Sequence, residues 1–464
     1  MFEDLRPYQI EDASFLSARN SAALFNEQRT GKTPTVLYAL HLKHSKRIVI
    51  VCPASALFQW RDEYERWTGR PAIVISGTAA RRKFLFDAVL TSWNENYAVG
   101  LIINYDLLRR SGTDLEELIL TQPDAIVLDE AHRIRNPKTA TAKAMFKLIN
   151  IPVRYCLTGT PTMNHTHEIW SILHFLYPHT FRSYWNFINE YFYTTRQTNP
   201  RGQTYMEIGK INFKGILMLD SMLPRISIVR KRKDVMQWLP DKEYIPIKLD
   251  PTPKQKKYLD ELAEVWETED IVTIGELDRL IRYRQICLDP GILNLEGGSP
   301  KTEWLLQYLK DYPDQPTLVF SKFTQYLNRL SQQLTVPHAL IIGATAVQRR
   351  REYCQAFQNG ELNLLLLNID AGKEALTLDR AEAVVFMDRY PPVGDIDQAE
   401  DRFVATTEDK ADKAHLIYQL CLAGTYDEDI NTMIAARYRE TEVINNWRSY
   451  MERRKKHGNR THNP

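Results

Sequence analysis

The sequence predicts an α/β protein of two tandem lobes, each built on a parallel β-sheet, with helical protrusions between them. Short runs of aliphatic and β-branched residues alternate with longer helical stretches, a pattern typical of parallel sheets covered by helices. The runs are apolar throughout rather than alternating, as expected of strands that are buried on both faces. They fall into two sets, separated by a region of different composition at about residues 163–300.

Ten runs are expected to form strands. Those of the first set are Ala22–Phe25, Ile48–Cys52, Ala98–Ile103, Ala125–Leu128 and Val153–Leu157. Those of the second set are Thr317–Phe320, Ala339–Ile342, Leu362–Leu367, Ala383–Met387 and His415–Leu420.

The two sets define the expected domains. The first lobe should cover residues 1–240, with a helical and hairpin protrusion at about 165–225. The turn signal Thr198–Gly202 predicts the tip of that hairpin, and the aromatic residues around it are expected mainly in a core. The second lobe should cover residues 241–464, with a helical protrusion at about 252–300 and a basic tail that contains Arg453–Lys456.

Composition narrows the class of protein. With 44% hydrophobic and 25% charged residues, the 464-residue chain is expected to be globular, and its formal net charge of +2 excludes a polycation. Any nucleic-acid site must therefore gather its positive charge in a groove. The five cysteines are far apart, without a CxxC pair, which predicts buried free thiols in an intracellular protein. No segment resembles a signal peptide or a membrane span.

One motif predicts phosphate binding. NEQRTGKT, Asn26–Thr33, follows an expected strand and precedes a helix, where backbone N–H groups can cradle phosphate oxygens. Lys32 would reach the β- and γ-phosphates, and the Thr33 hydroxyl would bind Mg²⁺. Asn26 occupies the position of the first glycine of the usual pattern. Because a GK[ST] triplet arises by chance in about a fifth of chains this long, a second motif is needed.

VLDEAHRIRN, Val127–Asn136, is that second motif. It lies at the C-terminal end of an expected strand, the edge at which open α/β sheets bind ligands. Asp129 would hold Mg²⁺, and Glu130 would orient and deprotonate the attacking water. Together the two motifs predict an enzyme that hydrolyses a nucleoside triphosphate with Mg²⁺.

With these motifs the chain resembles superfamily 2 motors and, within them, the Swi/Snf-like DNA translocases, from about Leu5 to Ile430. LRPYQ, Leu5–Gln9, resembles the family's opening motif, and Leu157–Pro178 is the most family-specific stretch. VRKRKDVMQWLP and RQICLDP resemble the inter-lobe signatures, and DQAEDRFVAT resembles the last motif. The resemblance implies two RecA-like lobes that ATP closes and hydrolysis opens. It also implies movement on double-stranded DNA without strong sequence preference.

The resemblance also implies roles for individual residues. Nucleotide binding falls to Gln9, which reads the adenine edge, and to Glu27, Gln28, Arg29, Thr30, Gly31, Lys32, Thr33 and Gly372. The candidate DNA contacts are Ser55, Gln59, Asn104, Tyr105, Arg135, Lys322 and Thr377. Coupling of nucleotide state to DNA falls to His132, Thr158, Gly159, Thr160 and Gln398, and Arg402 is the candidate arginine finger.

The chain departs from the family at two places. Ala405 occupies the position of the last motif's second arginine, and Lys373 and Ala375 stand where the family prefers glycines. An arginine finger accelerates phosphoryl transfer by about 10³–10⁵. We therefore expect either that Arg402 acts alone or that Arg380 or Arg389 compensates.

Three other functions remain open at this stage. One is a strand-separating or strand-annealing helicase. Another, supported by Ala405, is a nucleotide-binding scaffold that hydrolyses ATP weakly; the full set of Lys32, Thr33, Asp129 and Glu130 argues against it. The third, action on RNA, is disfavoured because Leu157–Pro178 resembles DNA motors.

Overall fold

The computed structural model divides the chain into two compact units, Met1–Gln237 and Trp238–Pro464. The structure describes residues 2–110, 112–159, 165–198, 202, 204–236, 242–264, 276–369, 378–389 and 415–435.

A parallel sheet of seven strands forms the centre of the first unit. Its spatial order is β3-β4-β2-β5-β6-β1-β9. The strands are β1 (Ser21–Leu24), β2 (Ile48–Cys52), β3 (Ala72–Val74), β4 (Gly100–Asn104), β5 (Ala125–Asp129), β6 (Val153–Leu157) and β9 (Ser227–Ile228). Every residue of β1 and β2 is buried, because helices cover both faces of the sheet.

Several helices of the first unit begin where a side chain binds a free backbone donor. The side chains of Thr78, Thr139 and Asn212 each accept a hydrogen bond from a backbone N–H in the first turn of the helix that follows. The helices are α1 (Pro7–Ser17), α2 (Lys32–Leu42), α3 (Leu57–Thr68), α4 (Ala79–Asn94), α5 (Tyr105–Arg110), α6 (Gly112–Leu120), α7 (Ala140–Phe146), α8 (Ile169–Leu176), α9 (Tyr184–Tyr191), α10 (Phe213–Ile226) and α11 (Arg232–Val235).

The expected protrusion contains α8 to α10 and an antiparallel hairpin of β7 (Phe192–Thr198) and β8 (Thr204–Ile211). It has an aromatic cluster of its own, in which Trp170, Phe181, Phe187 and Phe192 are buried. The aromatic residues of this region are therefore mainly core, as the sequence predicts. Farther along the hairpin, Tyr205 and Met206 are exposed.

The second unit contains a parallel sheet of six strands in the order β10-β15-β14-β11-β13-β12. The strands are β10 (Lys242–Leu249), β11 (Thr317–Ser321), β12 (His338–Ile341), β13 (Leu364–Asn368), β14 (Ala383–Phe386) and β15 (His415–Leu422). The helices are α12 (Pro253–Glu264), α13 (Glu276–Leu288), α14 (Pro300–Asp311), α15 (Thr324–Gln333), α16 (Val347–Gln358) and α17 (Tyr426–Ala435).

A buried ion pair ties α14 to α17 in this unit. The Lys301 side chain is completely buried, and its ammonium donates to Asp427 Oδ2 at 2.6 Å and to the Met387 carbonyl at 3.0 Å. Both charges are thus paired in an environment where an unpaired charge is costly.

The fold class is confirmed, and each of the ten expected runs overlaps a strand. Three strands were missed: β3, β9 and β10. β10 alternates exposed and half-buried residues and contains Pro246, so it lacks the continuous apolar run that marks the others. It lies at the edge of the sheet, where proline is tolerated.

Two further expectations can be compared with the structure. All five cysteines are free and buried, as the sequence predicts. Within the described ranges, no helix combines the length and the apolar character needed to cross a membrane.

Candidate active site

The loop between β1 and α2 holds the first motif, and its conformation depends on Gly31. Gly31 has φ +76°, in the left-handed region that favours glycine. A Cβ atom there would lie 2.0 Å from Gln9 Nε2, so any larger residue would displace the Gln9 side chain. The backbone conformation therefore favours glycine, and its lack of a side chain leaves room for the contact with α1.

Residues at the start of α1 brace this loop. Gln9 is buried, and its Nε2 donates to the carbonyls of Thr30 at 3.3 Å and Gly31 at 3.4 Å. Its Oε1 accepts from the Arg6 backbone N–H at 2.8 Å, and the Tyr8 hydroxyl donates to the Thr30 carbonyl at 2.9 Å. The structure thus places Gln9 at the loop as a brace, and the predicted adenine contact stays a prediction.

The Lys32 ammonium lies against the same loop. It donates to the backbone carbonyls of Asn26 and Glu27, each at 3.0 Å. Thr33 follows at the start of α2 and is half-buried. Two residues before the lysine, the Thr30 hydroxyl donates to the Glu27 carbonyl at 2.8 Å, a hydrogen bond that closes the loop. The first motif is therefore a compact turn at a helix N-terminus, with its lysine directed inward.

Asp129, the last residue of β5, is fixed by two donors. Its Oδ2 accepts from Trp60 Nε1 at 2.7 Å, and its Oδ1 accepts from the Glu130 backbone N–H at 3.0 Å. Burial and the neighbouring Glu130 charge raise the pKa of Asp129 to about 6, although the Trp60 hydrogen bond and the Lys32 charge act to lower it. Sequence reasoning missed Trp60, because a tryptophan on α3 gives no local sign that its indole faces β5.

The second motif, Val127–Asn136, is the acidic motif. Its residues Glu130 and His132 link it to the end of β6. His132 Nδ1 lies 3.2 Å from Glu130 Oε2 and 3.1 Å from the Thr158 hydroxyl. Thr158 is completely buried, and its N–H donates to the Leu24 carbonyl of β1 at 3.1 Å. The predicted coupling residues His132 and Thr158 are therefore in contact.

Gly159 lies against the candidate phosphate loop, residues Asn26–Thr33. A Cβ atom at Gly159 would be 3.5 Å from the Asn26 carbonyl oxygen and 3.5 Å from the Gln28 backbone nitrogen. The segment after β6 thus contacts the acidic motif through Thr158 and the phosphate loop through Gly159.

The candidate DNA contacts of the first unit follow the carboxyl ends of neighbouring strands. Ser55 is half-buried and Gln59 is exposed, both after β2. The Asn104 side chain, at the end of β4, accepts from the Leu107 N–H at 2.9 Å and so caps α5. Arg135, after β5, lies 3.9 Å from the Glu168 carboxylate and is 38% exposed. These four residues share the edge that carries both motifs.

Tyr105 requires a correction. The sequence placed it among the DNA contacts, but only 2% of the residue is exposed, and its hydroxyl donates to the Asp129 carbonyl at 2.7 Å. Tyr105 is the first residue of α5, and its side chain points into the core, where it supports the backbone of Asp129. A buried tyrosine has no surface to offer to a nucleic acid.

In the second unit, polar residues gather at the carboxyl ends of β11, β13 and β14. The Lys322 N–H lies 3.2 and 3.3 Å from the two carboxylate oxygens of Asp388, and the Lys322 carbonyl accepts from Asn368 Nδ2 at 2.9 Å. Arg284 Nη2 lies 3.4 Å from the same Asp388 carboxylate. Burial raises the pKa of Asp388, while the Arg284 charge opposes that rise. The candidate Lys322 is thus held at the equivalent edge of the second sheet.

Arg380 does not lie at that edge. Its guanidinium donates to the carbonyls of Phe357 and Leu362 and to Asn363 Oδ1, near the amino end of β13. The expectation that Arg380 could act as a compensating finger is therefore wrong. Arg389 follows β14 at the carboxyl edge and is buried over the Phe386 ring.

The remaining predictions lie outside the described residues. They concern Thr160, Gly372, Lys373, Ala375, Thr377, Gln398, Arg402, Ala405 and the basic tail Arg453–Lys456.

Comparison with known families agrees with this arrangement. The SNF2-related domain matches residues 8–292, more than half of the chain, and the helicase conserved C-terminal domain matches residues 300–404. The chain belongs to the SNF2-related family. Members are helicase-like ATPases, which supports the prediction of an ATP-hydrolysing enzyme.

Several curated proteins are similar to this SNF2-related chain. The probable ATP-dependent DNA helicase CHR12 of Arabidopsis thaliana is 26% identical over 439 residues, covering 86% of this chain and 38% of its own length. The human SWI/SNF-related matrix-associated actin-dependent regulator of chromatin subfamily A member 1 is 25% identical over 482 residues, covering 95% and 43%. The chain thus spans less than half the length of these relatives.

One match among solved structures is the Sulfolobus solfataricus SWI2/SNF2 ATPase core in complex with double-stranded DNA. It is 23% identical and gives a TM-score of 0.44, covering 93% of this chain and 91% of its own.

Proposed function

We propose that this chain is a DNA-dependent ATPase that translocates on double-stranded DNA. One observation carries the proposal: the two motifs lie at one edge of one sheet, and the segment after β6 contacts both. His132 lies 3.1 Å from the Thr158 hydroxyl, and Gly159 lies against the phosphate loop. The four candidate DNA residues of the first unit follow strands that end at this edge. The name of a similar protein, a probable ATP-dependent DNA helicase, supports DNA as the track.

The chemistry assigns a task to each side chain. Lys32 binds the phosphates and neutralises part of their charge. Glu130 accepts a proton from the water that attacks the γ-phosphorus, as the bond to the leaving β-phosphate oxygen breaks. His132, between Glu130 and Thr158, is suited to pass a change in the site to the segment after β6. Closure of the two units around the nucleotide, with Arg402 as the arginine finger, completes the proposed cycle.

Thr33 and Asp129 are the residues that would hold Mg²⁺. Both present oxygen atoms, which this hard cation prefers, and two protein ligands beside the phosphates match its usual sites. Within the described part of the chain, no group of three or more His, Cys, Asp or Glu side chains could hold a metal. Burial and the neighbouring Glu130 charge raise the pKa of Asp129, and a bound cation would offset both effects. When bound, Mg²⁺ neutralises charge on the transferred phosphoryl group.

Steady-state ATP hydrolysis tests the proposal directly. We expect linear duplex DNA to raise kcat by about tenfold or more, and Lys32→Ala to abolish turnover with and without DNA. If duplex DNA changes nothing and Lys32→Ala keeps the wild-type rate, the chain is the weakly hydrolysing scaffold. Single-stranded DNA and RNA, added in place of the duplex, identify the preferred track.

The hairpin favours one alternative, strand separation. Tyr193 is 63% exposed and Tyr205 is 52% exposed, and exposed aromatic rings can stack on unpaired bases. The strand register places both tyrosines on one face of the hairpin. ATP-dependent unwinding of a forked duplex, lost in the double variant Tyr193→Ser and Tyr205→Ser, would support this alternative. If the protein only translocates, neither the wild type nor the double variant should unwind the fork.

A further inference from the structure

The residue that replaces the first glycine of the phosphate loop is part of a buried network. Asn26 is 1% exposed, and its Nδ2 donates to Asp12 Oδ2 at 2.7 Å. Asp12, on α1, is completely buried, and its Oδ1 accepts from Arg230 Nη2 at 2.8 Å and Arg230 Nε at 3.0 Å. A glycine at position 26 could not make the first of these contacts, so the departure from the motif has a structural consequence.

Arg230 belongs to the segment through which the first unit continues toward the second. This exit segment, residues 227–236, begins with β9 and ends just before the boundary at Gln237. It is bound to the phosphate loop at two further points. The Glu27 N–H donates to the Arg230 carbonyl at 3.0 Å, and the Glu27 carboxylate accepts from the Arg232 N–H at 2.8 Å. Two adjacent loop residues therefore hold the exit segment.

The same two loop residues bind the lysine. Lys32 donates to the carbonyls of Asn26 and Glu27. A triphosphate competes for this ammonium group, because phosphate oxygens are the partners that a phosphate-loop lysine takes. When Lys32 leaves the two carbonyls, the peptide groups of Asn26 and Glu27 lose a hydrogen-bond partner. These are the same residues that hold the exit segment. Since the Asp12 link is buried, its charged hydrogen bonds are strong and little screened by water.

We propose that Asn26, Asp12 and Arg230 are positioning residues that transmit the nucleotide state of the phosphate loop to the exit segment. The inference rests on the proposed function, because it requires that the loop bind a nucleotide. It predicts that breaking this buried relay at Asp12 or Arg230 leaves hydrolysis without DNA close to the wild-type rate and removes the response of the exit segment to nucleotide.

Two neighbouring carboxylates provide matched controls. Glu11 accepts from the same Arg230 Nη2 at 2.7 Å, but its side chain is 71% exposed and is not part of the link to Asn26. Asp114 forms a second buried ion pair in the same unit, with Arg82 Nε at 3.0 Å, in a helix distant in sequence from the loop. Glu11→Gln therefore removes charge next to Arg230, and Asp114→Asn removes a comparable ion pair, without breaking the relay.

Hydrogen exchange of the exit segment tests the relay without DNA. In the wild type, a non-hydrolysable ATP analogue should change the exchange rate of the peptide 227–236 by severalfold. Asp12→Asn should abolish that change, while Glu11→Gln and Asp114→Asn retain it. Because Asp12 is buried, Arg230→Gln serves as a second variant that breaks the same link from its more exposed end. No change in the wild type, or a change that survives in both relay variants, overturns the proposal.

Turnover provides the functional readout. Asp12→Asn and Arg230→Gln should reduce the stimulation of kcat by duplex DNA about tenfold, with the KM for ATP unchanged. Adding Asn26→Gly to Asp12→Asn should cause little further loss of stimulation, because both changes break one chain of contacts. Full stimulation in the relay variants, or an equal loss in Asp114→Asn, overturns the proposal. Failure of the proposed function is distinguishable, since the wild type itself would then show no DNA stimulation.

Discussion

The hydrogen bond from Trp60 to Asp129 should set the pH range in which the enzyme works. Trp60→Phe removes the indole N–H, which lies 2.7 Å from Asp129 Oδ2, and keeps an aromatic ring in place. A hydrogen bond to a charged group contributes about 1.5–3 kcal/mol. At about 1.4 kcal/mol for each tenfold change, its loss should raise the pKa of Asp129 by one to two above its present value of about 6.

The sign of the effect follows from the role of the carboxylate. Asp129 must be ionised to hold Mg²⁺, so activity falls as the pH drops through its pKa. In Trp60→Phe the acid limb of the kcat/KM profile should therefore move upward by one to two pH units. Activity near neutral pH should fall and then recover at higher pH. The profile is best recorded at subsaturating Mg²⁺, because saturating metal keeps the carboxylate ionised and masks the difference.

Trp93→Phe is the matched control for this experiment. The Trp93 indole is also buried and donates at 2.8 Å, but its acceptor is the Val99 carbonyl rather than a carboxylate. It should lower stability without moving the acid limb. An acid limb that is unchanged in Trp60→Phe, or that moves equally in both variants, would falsify the reasoning.

Two further predictions concern the loop and the second unit. Gly31→Ala should weaken nucleotide binding, measured by fluorescence of a labelled ATP analogue, because alanine is strained at φ +76° and its Cβ would displace the Gln9 side chain that braces the loop. Binding at wild-type affinity contradicts this. Lys301→Met leaves the Asp427 carboxylate buried without its partner and should reduce the free energy of unfolding by about 3–5 kcal/mol, measured in urea. Adding Asp427→Leu should restore most of that loss, and a double variant no more stable than the single one refutes the ion-pair explanation.

The sequence predicted the parts of the fold that depend on continuous apolar runs. β2 is buried along its whole length, and its bounds, like those of β6, agree with the predicted run. β10 was not predicted because it lies at the sheet edge, where exposed and half-buried residues alternate and no continuous apolar run is present. Short strands such as β9 cannot be found from periodicity, since two residues carry no period.

The site was predictable where chemistry is concentrated in a short motif. The phosphate loop and the acidic motif could be predicted because their residues are adjacent in the sequence. Trp60, Asp12 and Arg230 were missed because their partners are distant in the sequence, up to 218 residues away for the Asp12–Arg230 pair. Tyr105 was assigned to the surface because a motif shows which residue types are present, not which side of the backbone each one faces.

Displacement of a triplex-forming oligonucleotide from linear duplex DNA tests the central claim, translocation, most directly. The third strand has no role in duplex binding, so its release requires a protein that moves along the duplex. We expect wild-type protein with ATP to release it, and Glu130→Gln to bind the same DNA without releasing it. DNA-stimulated hydrolysis with no release of the third strand would contradict translocation.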